Sequence, residues 1–138
     1  MKKVRINSSE RMITIGDILS FEKIFNIVIT SSLKRLYLKY NGGEVEFLDA
    51  STYDFASIKY GGFNIEDVIN MHQIIEQNIP EGYLPIALDW SDNPITINTN
   101  EGNQKGEIVK FYFDTDEAPE IIAHSLEELL GVTSIDEL

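Results

Sequence analysis

The sequence predicts a single α+β domain, with helices packed on one side of a mainly antiparallel sheet. Its predicted elements run as helices, strands, a helix, strands and a helix, an order that lacks the regular alternation of a doubly wound parallel fold. Short turns join consecutive strands, and short turns favour antiparallel pairing. The 138 residues are 43% hydrophobic and include 14 aromatic side chains, which is enough for one core. We therefore treat residues 1–138 as one domain.

The first 40 residues predict a short strand and two helices. The strand is expected at residues 4–6, and Thr14 is placed to cap the helix that follows it. Either Thr30 or Ser31 can cap the second helix. The apolar residues that recur at helical spacing are Ile18, Phe21 and Phe25 in the first helix, then Leu33, Leu36, Tyr37 and Tyr40 in the second. Each helix therefore has one face for the core.

Asn41-Gly42-Gly43 separates the second helix from a strand expected at residues 45–48. Asparagine and glycine tolerate positive φ angles, so this triplet predicts a left-handed helix cap and an immediate turn into the strand. A second strand is expected at residues 55–60, before the turn at Gly61-Gly62.

A longer helix is predicted between Asn64, which can cap it, and Pro80, before which it must stop. Its buried face is expected to extend through Ile75 and Ile79. The strand after it ends at Trp90. The alternating residues of this strand are Leu84, Ile86, Leu88 and Trp90. This alternation favours a Trp90 that closes the rim of the core, and the alternative is an exposed Trp90 at a binding surface.

The C-terminal third predicts two strands and a final helix. Residues 95–100 form the first strand, residues 101–106 the hairpin connection, and residues 109–113 a strong alternating strand. Ser125 can cap the last helix, with a glutamate three residues on, and Gly131 ends it.

The net charge of −12 is distributed unevenly along the chain. Residues 1–40 hold eight Lys or Arg and three acids, whereas residues 41–138 hold three Lys and twenty acids. Such a surface repels phosphates, so no nucleic-acid partner is expected, but it would attract a basic protein. Solubility alone is an equally good explanation of the charge.

Composition also limits compartment and chemistry. The chain has no cysteine, which excludes disulfides, thiolate metal sites and cysteine nucleophiles. No apolar run has the length of a secretory signal core or the roughly 18 residues of a membrane span. We expect a cytoplasmic protein that has no membrane partner.

The two histidines are the first candidates for acid–base chemistry. His72 falls beside the apolar stripe of its helix and is interpreted as a hydrogen-bonded residue at the edge of the core. His124 precedes the cap Ser125, and no nucleophile motif accompanies either histidine. The acidic clusters lack the spacing of a calcium loop. We therefore predict no catalytic residue, no metal site and no cofactor, while a small hydrolase that uses carboxylates and His124 is kept as an alternative.

Several acids and the single tryptophan lie close to predicted strand ends, where loops can project together from one edge of a sheet. Tryptophan is enriched at the energetic centres of protein interfaces. These residues are the predicted partner-binding face: Asp89, Trp90, Asp92, Asp114, Asp116 and Glu117.

Four segments resemble the motifs of the SUKH superfamily, of the SMI/KNR type. LKRLYLKYNGGEVEF is similar to the signature in which a helix ends at Asn-Gly-Gly before the first core strand. YLPIALDW, GEIVKFYFD and IIAHSLEELLG resemble the later motifs, in the same order, and together the matches cover about residues 14–131. The resemblance implies an immunity protein, since bacterial members neutralise toxins by direct binding, and the family pattern has no catalytic residues.

The leading hypothesis is a non-enzymatic immunity protein, or antitoxin, that binds a cognate toxin domain through an acidic face. Toxin nucleases tend to be basic because they hold phosphates, so a basic nuclease is a class of toxin that would fit. The alternative is a regulatory module of signalling or phage origin that binds proteins or peptides in an apolar groove. The expected state is a monomer or a weak dimer.

Overall fold

The computed structural model describes residues 4–113 and 115–138. In these residues, seven strands form one sheet whose spatial order follows the sequence, and every neighbouring pair is antiparallel. The strands are β1 (Val4–Asn7), β2 (Gly43–Phe47), β3 (Thr52–Phe55), β4 (Tyr83–Asp89), β5 (Pro94–Asn98), β6 (Ile108–Lys110) and β7 (Glu120–Ala123). The helices are α1 (Ile15–Phe25), α2 (Ser31–Lys39), α3 (Ile65–Ile69) and α4 (Leu126–Leu130). This architecture confirms the predicted α+β class.

The helices pack their apolar faces on the sheet in one core cluster. Ile18 and Phe21 of α1 are buried, as are Leu33 and Tyr37 of α2, so the predicted helical faces are confirmed. Sheet residues such as Val45, Ile95 and Ile97 meet them. Burial of this continuous apolar surface is the main stabilising contribution to the fold.

Side-chain caps begin the helices at the predicted positions. The Thr14 hydroxyl accepts the Asp17 N–H, and the Asp17 carboxylate accepts the Thr14 N–H, which completes a capping box. Thr30 rather than Ser31 caps α2, because its hydroxyl accepts the Leu33 N–H at 3.2 Å. Asn64 and Ser125 cap α3 and α4 in the same way.

The Asn-Gly-Gly triplet has a different role from the predicted left-handed cap. α2 ends at Lys39, and its cap residue Tyr40 has an extended backbone with φ −140°. Asn41 is fully buried, and its side chain bonds to the backbone of Arg11 and of Ile58. Gly42 has φ +74°, and a Cβ there would come within 2.8 Å of backbone atoms. The triplet therefore joins separate segments of the core.

The strand predicted at residues 55–60 is wrong in position. β3 (Thr52–Phe55) pairs with β2, whereas residues 56–60 are mostly irregular. This irregular segment is nevertheless buried at Ala56, Ser57 and Ile58. Its apolar residues cover the core without pairing as a strand, which explains the misleading sequence pattern.

The helix predicted to end before Pro80 changes geometry after α3. It continues as a π-helical turn (Asn70–Ile75), in which the wider winding shifts the residues around the helix axis. Ile69 is 4% exposed, but Ile75 is 69% exposed, so the prediction of Ile75 on the buried face is wrong. Ile79 is buried beyond the helix, in a second small cluster with Val109 and Phe111.

A bulge in β4 overturns the simple alternation predicted for this strand. The pairing with β5 shifts between Pro85 and Ala87. A bulge adds one residue to a strand and reverses the orientation of those that follow. Asp89 is consequently buried and Trp90 is 79% exposed, so the interpretation of Trp90 as a core rim residue is wrong.

The last predicted strand is shorter than expected. β6 ends at Lys110, and Phe113 lies beyond it with partial exposure. β7 (Glu120–Ala123), which the sequence analysis missed, forms one outer strand of the sheet next to β6.

Candidate functional site

Three chain segments with acidic residues lie at one end of the sheet, where turns connect the ends of the strands. β4 to β7 alternate in direction, so the β4–β5 turn and the β6–β7 connection lie at the same edge. The β2–β3 turn also lies there, because Tyr53 near the start of β3 pairs with Asp89 at the end of β4. We call residues 48–51, 89–93 and 115–120 the acidic edge.

The acidic edge contains five exposed acids and no lysine or arginine. The exposed acids are Asp49, Asp92, Asp116, Glu117 and Glu120. Trp90 and Leu48 are exposed among them, at 79% and 70%. Of the predicted face, Trp90 and Asp92 lie in the β4–β5 turn and Asp116 and Glu117 in the β6–β7 connection, so the strand topology places all four at the same end of the sheet. Asp114, another candidate of the sequence analysis, lies outside the described residues.

Asp89 differs from the other predicted residues because it is only 3% exposed. Its Oδ1 accepts the N–H groups of Ser91 (2.8 Å) and Asn93 (2.9 Å). Its Oδ2 lies 2.5 Å from Lys110 Nζ. These bonds occupy the carboxylate inside the β4–β5 turn, so Asp89 is not available for direct contact with a partner.

The pKa values of this pair follow from its position. Burial by itself raises the pKa of Asp89, but the Lys110 ammonium and the two backbone N–H donors outweigh burial and hold it below its usual value. Burial likewise lowers the pKa of Lys110, but Asp89 outweighs this and raises it overall. Both groups are therefore charged at neutral pH.

Lys110 also organises the start of the β6–β7 connection. Its Nζ lies 5.0 Å from the centre of the Tyr112 ring, a cation–π geometry. The Tyr112 hydroxyl donates to Glu120 Oε1 at 2.8 Å. Sequence reasoning missed Lys110, Tyr112 and Glu120. The signal that could have found Lys110 is its rarity, as one of three lysines among residues 41–138.

The histidines lie away from any hydrolytic arrangement in the described part of the chain. His72 Nδ1 is 3.2 Å from Asn78 Oδ1, which confirms a hydrogen-bonded, half-buried histidine. His124 Nδ1 is 3.0 Å from Glu107 Oε2, and this hydrogen bond raises the pKa of His124. Among the described residues, neither histidine bonds to a hydroxyl, and no group of three His, Cys, Asp or Glu is placed to hold a metal ion.

A second surface feature is an apolar groove between α1 and the π-helical turn. It has a volume of about 320 Å³. Its apolar lining residues are Ile24, Phe25, Ile27, Ile69, Ile74 and Leu84. Ile24 and Ile74 are 75% and 57% exposed, so the walls of the groove are open to solvent.

Comparison with known families agrees with this architecture. A SUKH family model, described as SMI1-KNR4 cell-wall, matches residues 15–130. A search of curated proteins found no match. In residues 4–113 and 115–138, no helix has the length and apolar character needed to cross a membrane.

Proposed function

Since this chain belongs to the SUKH (SMI1-KNR4) family, we propose that it is a non-enzymatic immunity protein that binds and neutralises a cognate toxin domain in the cytoplasm. The observation that carries the proposal is the acidic edge, where the turn with an exposed tryptophan lies at the same end of the sheet as five exposed carboxylates. An exposed Trp90 fits the anchor role that tryptophan has in many interfaces.

The charge of the edge indicates the chemistry of the partner. Five exposed carboxylates, in three segments whose described residues include no lysine or arginine, create a negative potential that attracts a basic surface over a Debye length of roughly 8–10 Å. A nuclease domain that holds phosphates presents such a surface. The immunity protein would then cover the basic site with its own acids and insert Trp90 into an adjacent pocket.

The direct test expresses the genes that flank the gene for this protein in a bacterial host, one at a time, and takes any product that stops growth as the toxin. Co-expression of the two proteins is expected to restore growth, and the two are expected to co-purify. If the toxin kills with equal efficiency in the presence and absence of this protein, the proposed function is wrong.

Variants of the acidic edge locate the interface. Trp90→Ala is expected to raise the Kd at least about thirtyfold, since removal of an interface anchor costs about 2 kcal/mol or more. Charge reversal of Asp92 and Asp116 to Lys is expected to slow association and to weaken its salt dependence. Glu101→Lys is the matched control, because Glu101 is exposed in the β5–β6 connection at the opposite edge of the sheet. An equal effect of this control would contradict a localised acidic interface.

The apolar groove favours a second candidate, a regulatory module that binds a protein or peptide. In that case Ile24→Asp would abolish binding, whereas Trp90→Ala would leave the Kd unchanged. The two variants therefore separate the two candidates in a single binding assay.

A further inference from the structure

We infer that Lys110 is a positioning residue, which ties the β4–β5 turn to β6 and so fixes the direction in which Trp90 projects. The salt bridge crosses from β6 to the end of β4, two strands away, over the start of β5. Asp89 Oδ2 forms the salt bridge with Lys110, and Asp89 Oδ1 accepts the N–H groups of Ser91 and Asn93. Trp90 lies between these bonded residues in the turn.

The turn has few other means to hold Trp90. The side chain is 79% exposed, so it has little packing of its own. Asp92 has φ +62°, a left-handed conformation that aspartate tolerates in tight turns at a small cost. The backbone bonds of the turn run from the Asp89 N–H to Asn93 and from the Asp92 N–H to Asp89. Beside these backbone bonds, the buried carboxylate of Asp89 connects the N–H groups of Ser91 and Asn93 to Lys110 on β6.

The energetics favour positioning over stability as the role of the pair. A buried ion pair gains little net stability over an apolar pair, because both charges lose their hydration. The Lys110 and Asp89 side chains are 18% and 1% exposed. In a region with twenty acids and three lysines, one lysine is held beneath the acidic edge. What the pair adds is a fixed backbone at Trp90, which leaves the indole to move about its own side-chain bonds only and so reduces the entropy lost when the indole enters a partner pocket.

The experiment uses the single tryptophan as its own probe. Time-resolved fluorescence anisotropy of the free protein reports how widely the Trp90 indole moves. Lys110→Met is expected to enlarge its nanosecond motion, and amide hydrogen exchange at Ser91 and Asn93 is expected to speed up about tenfold as local opening becomes easier. Lys110→Arg, which keeps the pairing, is expected to restore both values.

Lys105→Met is the matched control, because Lys105 makes a salt bridge to Glu101 in the β5–β6 connection, at the other edge of the sheet. It should leave Trp90 motion unchanged. If Lys110→Met does not fold, the double variant Asp89→Asn with Lys110→Met is used, since replacement of both charges removes the tie and leaves no unpaired ion. Unchanged Trp90 motion in whichever of these folds would overturn the inference.

The consequence for toxin binding rests on the proposed function, but the positioning does not. With the toxin, Lys110→Met is expected to speed dissociation about tenfold and to change association little, because a mobile anchor is held less well once bound. A wild-type protein that binds no toxin would contradict the proposed function, while the anisotropy result would stand. An unaltered dissociation rate with enlarged Trp90 motion would contradict the link between positioning and affinity.

Discussion

Replacement of Asn41 by alanine tests whether the Asn-Gly-Gly triplet holds the core together. The Asn41 Nδ2 group donates to the carbonyls of Arg11 (2.8 Å) and Ile58 (2.9 Å). Its Oδ1 accepts the N–H of Ile58 at 2.7 Å. Asn41 and Ile58 are buried, at 0% and 1% exposure, so water cannot easily replace the bonds to Ile58.

The expected loss follows from these three bonds. Removal of one partner leaves a buried polar group unsatisfied, at a cost of about 1–3 kcal/mol for each such group. The N–H and the carbonyl of Ile58 lose their partner inside the core, whereas Arg11 is exposed and its carbonyl can bind water. We expect Asn41→Ala to lower the free energy of unfolding by about 3–4 kcal/mol. For 138 residues this corresponds to a Tm lower by roughly 10–14 °C.

Urea unfolding, followed by circular dichroism, measures this difference, and calorimetry measures the change in Tm. Asn103→Ala is the control, because Asn103 is exposed in the β5–β6 connection, and its replacement should change stability by less than about 0.5 kcal/mol. A loss below about 1 kcal/mol for Asn41→Ala would refute the reasoning, since it would mean that the Ile58 backbone finds other partners.

Two further predictions concern the turn and the surface histidine. Gly42→Ala is expected to lower the free energy of unfolding, measured in urea, by more than about 1 kcal/mol. Gly42 has a positive φ, and a Cβ there would lie only 2.8 Å from the Phe55 carbonyl oxygen. Gly62→Ala is the control and should cost much less, because a Cβ at Gly62 meets open space. Glu107→Gln is expected to lower the pKa of His124 towards about 6.5 in an NMR titration. In the wild type, the raised pKa means that the ion pair stabilises the fold below about pH 6.5 and that this contribution is lost as pH rises through the folded-state pKa.

Local patterns were sufficient for the helix starts and the first two helical faces. A threonine, asparagine or serine cap acts within three residues, so Thr14, Asn64 and Ser125 could be identified without knowledge of the fold. The apolar stripes of α1 and α2 have ordinary helical geometry, and the 3.6-residue period therefore predicts their buried faces.

Predictions failed where the backbone adds a residue to a regular element. The π-helical turn has a different period from an α-helix, so Ile75 leaves the face that α-helical spacing assigned to it. The bulge after Pro85 likewise reverses the face of the sheet to which the following side chains point. Proline has no N–H for the ladder, and inside an interior strand it indicates a bulge. That signal was present in Leu84-Pro85-Ile86 and could have predicted the exposed Trp90.

The same bulge divides the acids of the candidate site into two kinds. Asp89 and Trp90 are adjacent in sequence, but the reversal buries the carboxylate and exposes the indole. A carboxylate that accepts two N–H groups and a lysine has little free charge to offer a partner. Steering should therefore depend on uncommitted acids such as Asp92 and Asp116. Replacement of both Asp89 and Lys110 by neutral residues leaves the net charge of the acidic edge unchanged, so it should instead act through the direction of Trp90 and change the dissociation rate more than the association rate.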